Sequence, residues 1–358
     1  MKIVQFVEAF GGGVYTYVKD LCNFLIENSV SKDVEVYLIY SPNRDEFNKE
    51  LFLSEIHTKV RLIEIPMVRD INPKIDYKAT AQTRKILKEI KPDVIHIHSA
   101  KATVLGRIAA FNIVPRNKIF YSPHGYSFVQ QNISPVKKTV FKIIEKAMPI
   151  LFGGTTIASG DTEYEVSKSY GKTILIKNGV DLELPNQISN FPANKKLTIG
   201  TVGRLSEQKN PKLFNDLALR LPDYDFIWIG DGELRELITA KNITVTGWIK
   251  TREELLNKIN QLDIYTQVSL WEGLPISILE AMALKKPLVV TDVIGNRDTV
   301  IQEYNGFTFS TIEDAIEKFK ALENEELRIK FSNNSYQFCD NEFNKIKNFT
   351  RLVSIYQS

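Results

Sequence analysis

Leu197-Thr198-Ile199-Gly200-Thr201-Val202-Gly203-Arg204-Leu205-Ser206-Glu207-Gln208-Lys209-Asn210 is the stretch from which the fold can be read. Six uncharged residues end at a glycine, a polar loop carries two cations, and Pro211 opens an amphipathic run to Arg220. A continuous apolar strand passing through a glycine loop into a helix marks a strand covered on both faces, as in a parallel sheet between helix layers. Downstream the pattern recurs, with strands expected at 226–229, 244–245, 264–268 and 287–291 and helices at 234–239, 252–259 and after Pro275. Upstream it appears again, with strands at 2–7, 34–40, 60–65, 93–98 and 119–122 and helices at 14–25, 80–90 and 102–110.

Between the two series, Pro185, Asn186, Gln187, Ser189, Asn190, Pro192 and Asn194 give a polar stretch without periodicity. The expected organisation is a first domain over 1–181, a linker over 182–196 and a second domain over 197–341. Phe343, Ile346, Phe349, Leu352 and Tyr356 then recur at helical spacing, predicting a last helix over 342–358. A length of 358 residues suits two cores better than one. Both domains read as α/β, Rossmann-like and doubly wound, so ligands are expected outside the carboxyl ends of their strands.

Composition excludes several classes. Two cysteines far apart, Cys22 and Cys339, argue against a disulfide framework or a zinc site and suit a reducing compartment. No apolar run approaches a membrane span, and the apolar start is too short for an export signal, so a cytoplasmic protein is expected. Residues 1–181 hold 25 Lys+Arg against 19 Asp+Glu, and the remainder 21 against 24. This modest excess in the first half does not call for a nucleic acid, but it suits an anionic acceptor or an acidic membrane surface.

Arg204 and Lys209 converge on a helix mouth in a way that suits a diphosphate. Glu280 falls on an apolar helix with Ile276, Ala283 and Leu284 as its helical neighbours, so no local cation explains it. Its partner must come from outside the helix. Pro275 suits the first helical position. The helix end, at Lys285-Lys286, is expected to stop without a left-handed cap, leaning on Pro287.

Taken together, Gly203-Arg204 with Lys209, Gly230-Asp231-Gly232, Gly247, Glu272-Gly273-Leu274-Pro275 with Glu280, and Gly295-Asn296-Arg297-Asp298 resemble the donor domain of the GT-B fold, retaining glycosyltransferases of family 4. The resemblance extends to Gly11-Gly12-Gly13, Asp93-Val94-Ile95-His96-Ile97-His98, His124-Gly125 and Asn178-Gly179-Val180-Asp181 and covers nearly the whole chain. It implies two Rossmann-like domains with an interdomain cleft and a last helix packing back on the first domain. The implied reaction moves a hexose or N-acetylhexosamine from a UDP-sugar to a lipid-linked saccharide, such as one on polyprenyl diphosphate, in bacterial cell-surface polysaccharide synthesis.

At matching positions the resemblance implies that Arg204 and Lys209 hold the diphosphate, Glu280 the ribose and Glu272 the donor sugar, with no metal and no cofactor. Backbone at Gly203, Gly247, Gly273, Leu274, Pro275 and Ile276 would line the donor. Gly12 and Gly13 would let the first loop approach the reacting sugar, where a side chain would collide. His124 would donate to a sugar hydroxyl, while neither His96 nor His98 is expected to be catalytic. One of those two is expected to point into the sheet's packing. A GT-B nucleotide-sugar epimerase and a non-enzymatic sugar- or nucleotide-binding protein are the competing readings.

For the helix over 135–148, Val136, Val140, Ile143, Ile144 and Ala147 form one face and Lys138, Lys142 and Lys146 a row on the other. A core-packed helix with a lysine-rich solvent face, and a surface helix touching an anionic membrane on its inner side, are the two readings.

Overall fold

The computed structural model describes residues 1–28, 34–43, 47–183 and 196–358. Most of the expected linker, residues 184–195, lies outside them. The chain forms two compact units, one of Met1–Lys177 with Lys347–Ser358 and one of Asn178–Ile346. The chain therefore passes from the first unit to the second after Lys177, four residues before the expected boundary, and returns after Ile346.

The first unit runs β1 (Lys2–Val7), α1 (Gly12–Glu27), β2 (Glu35–Tyr40), α2 (Lys49–Glu55), β3 (Arg61–Glu64), α3 (Pro73–Ile90), β4 (Val94–His98), α4 (Ala100–Ala110), β5 (Ile119–Ser122), α5 (Pro135–Phe152), β6 (Thr155–Ala158), α6 (Asp161–Ser167) and β7 (Thr173–Leu175). Its sheet has the order β3-β2-β1-β4-β5-β6-β7, and every pairing is parallel. β4 is buried at every position, as expected of a strand between helix layers. Ile95, Ile97, Ala102, Leu105 and Tyr121 belong to one core cluster.

The second unit runs β8 (Thr198–Val202), α7 (Pro211–Arg220), β9 (Asp225–Ile229), β10 (Ile243–Val245), α8 (Arg252–Asn260), β11 (Ile264–Gln267), α9 (Ile276–Ala283), β12 (Leu288–Thr291), β13 (Gly306–Phe309), α10 (Ile312–Ala321) and α11 (Glu325–Glu342). The order β10-β9-β8-β11-β12-β13 is again parallel, and Ile199, Phe214, Trp228, Val289 and Phe319 share its core. In both sheets the strand order reverses beside the first strand, between β1 and β4 and between β8 and β11. Loops after those strands flank the crevice where such sheets take ligands.

Several local expectations are corrected. Residues 235–237 make only a short 3-10 turn. The last helix, α12 (Lys345–Gln357), starts three residues later than expected, because α11 continues to Glu342. From Lys347 onward it belongs to the first unit, where Phe349 meets Tyr17 and Phe24 at ring distances of 5.4 and 5.5 Å. Pro275 is the cap of α9 and not its first residue, since its ψ is 119°. α9 does end in a left-handed residue: Lys285 takes φ 56°, and Lys286 N–H donates to the Ala281 carbonyl at 2.9 Å. Burial of Lys286 and its bond to the Asn260 carbonyl hold that strained turn without glycine.

α5 does not pack the predicted apolar face into the core, which corrects the core-packed reading and leaves that face at the surface. Val136, Val140 and Ile143 are 72%, 47% and 61% exposed, whereas Glu145 is buried. The protein side is set by Phe141 and by Tyr121, whose hydroxyl donates to Glu145 at 2.9 Å. Burial pushes the Glu145 carboxyl up to about 7, opposed by the Tyr121 bond and Arg107. Lys142 and Lys146 are exposed beside the apolar stripe and Lys138 is partly covered. Among the described residues no helix is long and apolar enough to cross a membrane.

Candidate active site

In the second unit the loop after β8 and the loop after β11 are tied together at the switch point. Leu270 N–H donates to the Gln208 carbonyl at 2.8 Å, and Gln208 Nε2 donates to the Trp271 carbonyl at 3.0 Å. Lys209 Nζ reaches Glu272 Oε1 at 2.6 Å. The same carboxylate accepts from Ser269 Oγ at 2.6 Å and from Gln267 and Gln208, each at 3.2 Å. Glu272 is thus a buried acid held by four donors, three of them on Oε1, and Lys209 is anchored rather than mobile.

The glycine turns pack around this pair. The Lys209 stem lies over Gly203, where an added Cβ would come 3.0 Å from Cε. Gly230 has φ 136° and would place a Cβ 2.2 Å from the Gly203 carbonyl oxygen; it also bridges to Gly247. Gly295, with φ 83°, would drive a Cβ to 1.8 Å from the Gly273 carbonyl oxygen. Both turns therefore require glycine for backbone angle and for space at once. Leu274 and Ile276 are buried, and the Leu274 carbonyl accepts from Asn178 Nδ2 at 3.0 Å.

Arg204 pairs with Glu233 at 2.8 Å with both side chains substantially exposed. Such a pair is worth little in water. Glu280 is the clearest departure from the sequence reading. Its cation comes from 28 positions upstream: Arg252 Nη1, at the start of α8, lies 3.0 Å from Glu280 Oε1. An isolated helix pattern cannot show that partner, because α8 and α9 meet only in the folded sheet.

In the first unit Gly12 has φ 53°, and a Cβ there would meet nothing within 4 Å. Its requirement within the chain is backbone angle rather than room. His124 follows β5 with φ 52°, its turn held by Glu163, which accepts from Gly125 N–H at 2.9 Å and from Ser159 N–H at 2.7 Å. His124 Nε2 meets His98 Nδ1 at 3.0 Å, and Tyr17 stands edge-on at 4.9 Å. His96 and His98 project to one face of β4, as residues two apart in a strand must, with ring centroids 4.2 Å apart. Burial lowers all three histidines, His124 to about 4.

The second unit places Lys209 against Glu272 among the glycine turns, with Arg204 on Glu233 and Glu280 on Arg252, and the first unit places His124 against His98 and Tyr17. Arg252, Glu233, Glu163 and the amide and hydroxyl groups of Gln208, Gln267 and Ser269 were not foreseen in the sequence. Gln267 and Ser269, polar residues on either side of Val268 at the end of an apolar strand, were the available signal for the last two.

Two family models divide the chain between them. Glycosyltransferase Family 4 matches residues 11–184, and Glycosyl transferases group 1 matches residues 185–338. The chain belongs to glycosyltransferase family 4. This family-4 chain is 29% identical over 332 residues to an Escherichia coli UDP-Gal:alpha-D-GlcNAc-diphosphoundecaprenol alpha-1,3-galactosyltransferase, covering 83% of this chain and 84% of that one. It is 24% identical over 367 residues to the Campylobacter jejuni N,N'-diacetylbacillosaminyl-diphospho-undecaprenol alpha-1,3-N-acetylgalactosaminyltransferase, covering 93% of each. The family-4 glycosyltransferase has the GT-B fold. Its structure is similar to sucrose-phosphate synthase of Thermosynechococcus elongatus, with a TM-score of 0.82 at 16% identity, covering 100% and 98% of the two chains. It is also similar to Anabaena HepE in complex with UDP-glucose, with a TM-score of 0.77 at 19% identity, covering 99% and 98%.

Proposed function

We propose that this glycosyltransferase moves a hexose or N-acetylhexosamine from a UDP-sugar, with retention, to a hydroxyl of a polyprenyl-diphosphate-linked saccharide in bacterial surface-polysaccharide synthesis. The observation that carries the reading is the Lys209–Glu272 pair, fixed by three further donors among glycine turns at the switch point. It is a rigid cation beside backbone that can be closely approached, with the Arg204 guanidinium in the same loop. The named activities of the two relatives, both on diphosphoundecaprenol-linked sugars, favour the acceptor class.

In this reading Arg204 and Lys209 offset the charge that grows on the leaving diphosphate, and no metal is needed. The acceptor oxygen forms its bond to the anomeric carbon on the face from which the phosphate oxygen departs. Its proton passes to that phosphate. Glu280 accepts from the ribose hydroxyls, Glu272 orients the donor sugar, and His124 meets a sugar hydroxyl. The exposed stripe of Val136, Val140 and Ile143, flanked by Lys142 and Lys146, lies on the inner, anionic face of the cell membrane, where a lipid-linked acceptor resides.

A thermal-shift panel tests the donor class. UDP is expected to raise the melting temperature where GDP, ADP and NAD do not; no response to any nucleotide overturns the reading.

A further inference from the structure

Beneath His124 runs a line of buried polar side chains whose donor and acceptor roles can be followed from a fixed end. The Ile157 carbonyl accepts from Ser122 Oγ at 3.1 Å. With its hydrogen committed there, Ser122 can only accept across the 2.9 Å contact to His96 Nε2, so Nε2 carries the ring proton. His96 Nδ1 is then a bare acceptor, and the Tyr356 hydroxyl of α12 donates to it at 2.5 Å.

Having spent its hydrogen, Tyr356 can offer Gln5 only a lone pair. Gln5 accordingly turns its NH2 toward that hydroxyl, without a bond of good geometry, and its carbonyl toward His98. Gln5 Oε1 accepts from His98 Nε2 at 2.7 Å, which leaves His98 Nδ1 as the acceptor for His124 Nε2 at 3.0 Å. The His98 and His124 rings lie within 20° of parallel. Gln5, His96, His98 and Tyr356 have no exposed surface, so no water competes for these bonds.

We infer that Tyr356, Gln5 and His98 are positioning residues that hold His124 as its Nε2-protonated tautomer, presenting Nδ1 as a hydrogen-bond acceptor to a sugar hydroxyl. The family resemblance makes His124 a donor; the buried line makes it an acceptor. Its significance for transfer rests on the assignment of His124 to the sugar, whereas the tautomer stands on the geometry alone.

Nitrogen-15 histidine spectra test it on the full chain, whose four histidines can be assigned by single substitution. His124 is expected to show a protonated Nε2 and a bare Nδ1 in the wild type. Tyr356→Phe frees Gln5 to reverse its amide and should give a tautomer mixture at His124. With UDP-galactose or UDP-N-acetylgalactosamine as probe, kcat/KM for UDP release should fall on the order of two- to fivefold, the loss of one hydrogen-bond preference. A protonated Nδ1 in the wild type, or an unchanged His124 tautomer in Tyr356→Phe, overturns the inference. A His124→Gln variant with undiminished UDP release would instead remove the assignment of His124 to the sugar, with the spectra unaffected.

Discussion

The Arg252 guanidinium meets the Glu280 carboxylate at 3.0 Å, joining the first residue of α8 to the middle of α9. Only 5% of the Glu280 side chain is exposed, so the acid is held in place by the chain itself. Arg252→Ala should cost on the order of 2 kcal/mol in urea denaturation, less than for a fully buried pair because Arg252 keeps partial contact with water. Glu280→Ala should weaken UDP binding by about tenfold or more in calorimetry, the worth of hydrogen bonds to a charged acceptor. Unchanged UDP affinity in Glu280→Ala would confine the acid to its structural pair.

Glu272→Ala should leave the dissociation constant of free UDP within about threefold while lowering donor turnover by roughly 100-fold, as expected for loss of a preorganised charged contact at the reacting centre. Steady-state kinetics and calorimetry on the same preparation separate the two effects. If UDP binding collapses and turnover of bound donor survives, the roles of Glu272 and Glu280 are exchanged.

Replacing Lys138, Lys142 and Lys146 by glutamate should reduce sedimentation with anionic vesicles by roughly 100-fold, at about 1 kcal/mol for each lysine near the surface. Val136→Ser with Ile143→Ser should weaken the remaining, salt-resistant part. Equal partition of all three proteins would remove the membrane contact from α5.

Stability should fall as the pH is lowered through the ordinary histidine range. His96, His98 and His124 are neutral in the native state because burial lowers them, His124 to about 4. The unfolded chain binds protons on the same residues near pH 6.5, so the stabilisation is complete above that pH and is lost below it. Glu145 acts in the opposite sense: burial raises it to about 7, so its contribution diminishes as the pH rises from the ordinary carboxylate range to that value. Glu145→Gln should therefore steepen the loss of stability between pH 7 and 5, measured by urea titration at each pH. A parallel profile for the two proteins would refute the assignment.

Features governed by a local repeat were legible in the sequence. β8, β11 and, after Asp225, β9 announce themselves as uncharged runs ending at polar turns, and Gly203, Gly230 and Gly295 mark the places where turns crowd one another. β7 has only three residues, and α11 buries Phe331, Ser335 and Cys339 with no continuous apolar stripe, so neither carries a period long enough to read. The long-range pairings within each unit are different in kind. Arg252 and Glu280, or Gln5 and His98, are distant in sequence and meet through strand order, which no window along the chain contains. α5 was ambiguous for a related reason: its amphipathic pattern allowed either face to turn inward, and the face that did carries Phe141 and Glu145.

Tyr356 lies under His96, and Phe349 under Tyr17, yet both belong to residues made after the whole second unit. During synthesis on the ribosome, the first half of the chain emerges with a gap where α12 will sit. That half can form its sheet early but can settle the rings around His124 only after residues 347–358 arrive. The part of the protein that is translated first is in this sense finished last, and a nascent chain halted within the second unit would carry His124 without the support that sets its tautomer.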